Sequence, residues 1–69
     1  MIKEGEIIDI NNCFGEVKID NKIYKFSTDI IYGDIINKND IVKVRLEDDL
    51  PKIITKFELL ELEEYLDVD

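Results

Sequence analysis

Few side chains in this sequence could carry chemistry. Cys13 is the one thiol, Ser27 the one serine, Thr28 and Thr55 the two threonines, and there is no histidine or tryptophan. No Ser/His or Cys/His couple can be assembled, which excludes acyl transfer by an activated hydroxyl or thiol. The same absences leave no His/Cys set for zinc and no internal disulfide. Cys13 has no cation cluster nearby to activate it and reads as a small core or edge residue. Carboxylates are plentiful, and Asp48-Asp49 and Glu63-Glu64 form adjacent pairs. The first pair falls in a turn and the second on a helix face, so solvated positions are expected rather than general acid–base work. Asp48-Asp49 also lacks the Asp-x-Asp-x-Asp-Gly spacing of a calcium loop, and the three glycines form no phosphate loop. These exclusions predict a protein with no catalytic residue, metal or cofactor, that is, a binding module rather than an enzyme.

Charge is distributed unevenly. Residues 1–57 contain eleven acidic and nine basic side chains, a balance of 9 − 11 = −2, whereas residues 58–69 contain six acidic and none basic. The expected organisation is one domain, with residues 1–57 forming the body and residues 58–69 an acidic C-terminal helix and tail. Without disulfide or metal, stability must come from apolar packing, and thirteen Ile and four Val are available for it. Met1–Ile10 contains Glu4, Glu6 and Asp9, unlike a signal peptide, and no apolar run approaches the ~20 residues of a membrane span. A cytoplasmic location, with no membrane partner, is expected.

The elements that must position these side chains are mainly strands. Pattern and turn chemistry predict strands over Lys3–Ile10, Cys13–Ile19, Lys22–Ser27, Ile41–Glu47 and Lys52–Phe57. Asn11-Asn12 and Asp20-Asn21 are pairs that tolerate left-handed backbone and suit tight turns. The connection Thr28–Asp40 has room for a short helical turn and ends in the turn Asn37-Lys38-Asn39-Asp40. Val42, Val44 and Leu46 alternate with Lys43, Arg45 and Glu47, one dry face and one wet. If Asp20-Asn21 is a two-residue turn, Val17 faces Tyr24 and Gly15 faces Phe26 on the buried side. On the outer side Glu16 faces Lys25 as an ion pair, and Phe14 faces Ser27. After Phe57, Leu59, Leu62 and Leu66 recur at helical spacing beside Tyr65, with Glu61, Glu63 and Glu64 off that stripe. The predicted fold class is all-β, a small five-stranded barrel with a short amphipathic acidic helix at its C-terminus.

Gly5-Glu6-Ile7, Phe14-Gly15-Glu16-Val17, Tyr24-Lys25-Phe26-Ser27, Asp29-Ile30, Asn39-Asp40-Ile41-Val42 and Pro51-Lys52 follow one another in a familiar order. Across residues 5–57 the chain resembles the cold-shock domain, an OB-type barrel that binds single-stranded RNA and DNA. It is similar too to the related barrels of S1 domains and bacterial translation initiation factor 1. The family stacks bases on exposed aromatics. By strand position its Lys-Trp falls on Ile8 and Asp9, its two Phe on Phe14 and Glu16, and its Phe and His on Lys25 and Ser27. Phe14 alone keeps a ring. At ~1–3 kcal/mol per stacked base, most of the platform is lost.

The resemblance implies a non-enzymatic module that binds single-stranded RNA or DNA weakly, with Phe14, Lys18, Lys25, Ser27, Lys43 and Arg45 as the candidate contacts. A sequence pI of about 4.4 opposes it, since phosphate contact needs a basic surface. The alternative is an acidic protein-interaction module, or nucleic-acid mimic, that meets a basic protein through Leu59, Leu62, Glu63, Tyr65 and Leu66. In a third arrangement the acidic tail lies over the basic side and competes with nucleic acid.

Overall fold

A computed structural model describes residues 1–33 and 35–56. Five antiparallel strands form one curled sheet: β1 (Ile2–Ile10), β2 (Phe14–Ile19), β3 (Lys22–Ser27), β4 (Ile41–Glu47) and β5 (Leu50–Thr55). Their order is β3-β2-β1-β4-β5. The expected all-β architecture is present, as a half-barrel compatible with a small OB-like barrel. The edges β3 and β5 approach each other but share no ladder among the described residues. Instead Ile31 bridges Ile54, and the Tyr32 N–H donates to the Ile54 carbonyl at 2.9 Å. The predicted C-terminal helix lies outside the described residues.

Local chemistry accounts for most of the turns. Asp20 and Asn21 have φ of 50° and 68°, and Asp48 and Asp49 have 54° and 62°. Paired positive φ is the signature of two-residue hairpins whose twist matches that of the strands. β5 therefore starts at Leu50, opposite Glu47, two residues earlier than predicted. The Asn11-Asn12 connection is built differently from expectation. Neither residue has positive φ; instead the Asn11 Oδ1 accepts the N–H groups of Cys13 and Phe14, each at 2.8 Å. Cys13 is exposed in this turn, not the core or edge residue predicted. The long connection begins with a 3-10 turn, Thr28–Ile30, capped by Ser27.

The core lies within the curl. Ile7, Val17, Ile19, Phe26, Ile36, Val42, Val44, Leu46 and Ile54 form one buried cluster. Alternation holds along β2 and β4, whereas β1 carries a bulge between Ile7 and Asp9. Strict alternation from buried Ile7 would point Asp9 inward. The extra residue turns Asp9 outward and lets Ile10 face the core, as a bulge does by re-aiming side chains. Among the described residues no helix is long and apolar enough to cross a membrane.

The turn before β4 is tied on both sides. The Asn39 N–H donates to the Ile7 carbonyl at 2.7 Å, and the Ile7 N–H donates to the Asp40 carbonyl at 2.9 Å. The Asp40 carboxylate accepts from the Asn37 N–H at 2.7 Å and pairs with the Lys56 ammonium at 3.1 Å. That hydrogen bond first, and Lys56 second, hold the Asp40 carboxyl below its ordinary value of 3.8. A carboxyl with a depressed folded pKa stabilises the fold fully above its unfolded value and loses that contribution as pH falls through the folded value. Asp40→Asn is therefore expected to lower the urea midpoint near pH 7 more than at about pH 2. An equal deficit at both would remove Asp40 as a source of acid sensitivity.

Candidate nucleic-acid interface

The β2–β3 ladder places the predicted residues in the expected register, with Phe14 opposite Ser27, Gly15 opposite Phe26, Glu16 opposite Lys25 and Val17 opposite Tyr24. Phe14 is 52 % exposed at the start of β2. Its backbone is locked to Asn11, which accepts the Phe14 N–H through its side chain and donates its own N–H to the Phe14 carbonyl at 2.8 Å. The expected Glu16–Lys25 ion pair is not formed. The Lys25 ammonium lies 5.8 Å from the centre of the Phe14 ring, a cation–π arrangement worth ~0.5–1 kcal/mol at an exposed site. The Ser27 hydroxyl accepts the Asp29 N–H at 3.3 Å, so its oxygen is already engaged locally.

Asp9, Asn11, Phe14, Gly15, Glu16 and Lys25 line a shallow cradle of about 200 Å³. Four of these residues, Asp9, Asn11, Gly15 and Glu16, were not among the candidate contacts, although the resemblance places family stacking positions on Asp9 and Glu16. Asp9 arrives through the bulge and sits directly opposite Glu16, a like-charge pair that costs stability in a ladder. The sequence signal for it is the spacing of Ile7 and Ile10, which breaks period two.

The remaining cations do not converge on Phe14. Lys18 sits opposite Glu6 on one side and Ile23 on the other. Lys43 pairs with Glu4 at 3.5 Å and Arg45 with Glu47 at 3.4 Å. On β1, Lys43 aligns with Glu4, whereas Gly15, next to Phe14, aligns with Ile10. Six residues of strand at ~3.3 Å each separate the two levels by about 20 Å. Phe14, Lys25 and Ser27 thus form one site, with Lys18 further along the same face, and Lys43 and Arg45 belong to another. Glu4, Glu6, Asp9 and Glu16 line the outer side of β1 and β2, so positive charge around Phe14 rests on Lys25. Leu59, Leu62, Glu63, Tyr65 and Leu66 lie outside the described residues.

These observations define a small all-β half-barrel with a single exposed ring on its β2–β3 face. Comparison with protein-family models, with curated proteins and with solved structures yields no match.

Proposed function

We propose that this chain is a non-enzymatic, cold-shock-like module that binds single-stranded RNA or DNA weakly, one base stacking on Phe14. The observation that carries this reading is the half-exposed Phe14 ring with the Lys25 ammonium over it. A stacked base gains ~1–3 kcal/mol, more than the ~0.5–1 kcal/mol of an exposed cation–π contact. A base therefore displaces the lysine, whose ammonium becomes available to a phosphate. The residue spacing shared with cold-shock domains supports the same face. Asp9 and Glu16 oppose the phosphate backbone, which keeps the affinity low, and a single Lys25–phosphate contact gives a shallow salt dependence, a slope of about 0.7.

A second reading follows from a different observation. The outer stripe of Glu6, Asp9 and Glu16, which outnumbers Lys18 on that face while Lys43 and Arg45 are already paired with Glu4 and Glu47, favours an acidic surface that meets a basic protein. Backbone NMR titration of the full chain separates the two. A short single-stranded oligonucleotide should produce saturable shifts at Asn11, Phe14 and Lys25 that weaken as salt is raised. An oligonucleotide that moves nothing, alongside an arginine-rich peptide that shifts Glu6, Asp9 and Glu16, would replace the first reading with the second.

A further inference from the structure

Beside the Phe14 cradle lies a larger groove, about 500 Å³, between the β1–β2 turn and the segment that follows β3. Ile10, Ile31, Ile35 and Ile36 form its apolar lining, with Asn11 and Asn37 among its polar residues, and none of the described lining residues is charged. Ile35 is 81 % exposed beside the partly buried Ile10 and Ile31, an apolar patch rather than a lone exposed aliphatic side chain.

The chain itself is delivered to this groove. Ile54 is bridged to Ile31, a lining residue. Two residues later, Lys56 is held by Asp40, whose carboxylate also accepts the N–H of Asn37, another lining residue. The described chain thus ends at Lys56, which is tied through Asp40 to the groove residue Asn37. Residues 57–69 contain Phe57, Leu59, Leu60, Leu62, Tyr65, Leu66 and Val68, six carboxylates and no cation. Thirteen residues reach about 20 Å as a helix and about 43 Å extended, against a longest molecular extent of 33 Å. Charge selects among the available surfaces. The outer face of β1 and β2 carries Glu4, Glu6, Asp9 and Glu16 against Lys18 and the Lys43 that pairs with Glu4, a negative balance that repels an acidic segment. The described lining of the groove carries no charge, and Lys38 follows the lining residue Asn37 in sequence, whereas Lys56 is already paired with Asp40.

We propose that residues 57–69 occupy this groove in the same molecule, with Leu62 and Leu66 against Ile10, Ile31 and Ile35 and the carboxylates turned to water. This placement does not depend on which ligand the Phe14 face takes. The test is methyl NMR on the full chain with Ile and Leu labelled. Expected are NOEs from Leu62 or Leu66 methyls to those of Ile10, Ile31 or Ile35. Leu62→Lys combined with Leu66→Lys should shift these isoleucine methyls and leave Val42 and Val44 in place. The proposal is overturned if such NOEs are absent, if the paired substitution leaves the three isoleucines unmoved, or if a mixed-label sample places the NOEs between molecules. The last result would make the occupant a second copy.

Discussion

Replacing Phe26 with alanine is expected to leave most of the chain unfolded at room temperature. Phe→Ala in a core costs ~3–5 kcal/mol, and a core in a chain this short supplies about the same net amount. Phe26 is 4 % exposed and lies opposite Gly15 in the β2–β3 ladder. A Cβ added at Gly15 would stand 2.4 Å from the ring Cζ and 2.9 Å from Cε2. The ring thus occupies the space that a side chain on β2 would need. Gly15→Ala should cost ~1–3 kcal/mol through overpacking, read as a fall in urea midpoint with unchanged m. In a Phe26→Leu background, where the Cζ is gone, the alanine penalty should shrink. Equal penalties in both backgrounds would show that the two positions are not coupled.

Hairpin chemistry made much of this structure legible in the sequence. Asp20-Asn21 adopts the paired positive φ that a two-residue turn needs, and every β2–β3 pair follows from it, including the burial of Phe26 over Gly15. Asp48-Asp49 carries the same signal, but Pro51 masked where the next strand begins. β5 is an edge strand, where a missing N–H is tolerated, so pairing runs through Pro51 back to Leu50. The bulge in β1 was harder to see, because one inserted residue changes which side chains face out without changing composition. For Lys43 and Arg45 the pattern on β4 identifies the wet face, yet their neutralisation depends on Glu4 one strand away and on the conformation that brings Glu47 within reach. That information exists only in the register. The turn at Asn11 depends on a side-chain carbonyl rather than on left-handed backbone, and the residue pair fits both equally well.

Phe14→Ala is expected to reduce binding of a short single-stranded oligonucleotide by about 5- to 150-fold, the equivalent of ~1–3 kcal/mol for one lost stack. Phe14→Trp should retain or increase it, since a larger ring offers more stacking area. Neither change should move the urea midpoint much, because Phe14 is half exposed and outside the buried cluster. Lys25→Gln tests the other half of the couple. If the displaced ammonium reaches a phosphate, this substitution should lower the slope of log K against log salt by about 0.7, the single-strand value for one contact. Fluorescence anisotropy at two salt concentrations reads both effects. An alanine variant that binds as the parent does would mean that the ring is not a stacking platform. If binding of an arginine-rich peptide were then weakened by Asp9→Asn or Glu16→Gln, the cradle's carboxylates, rather than its ring, would be the part that recognises a partner.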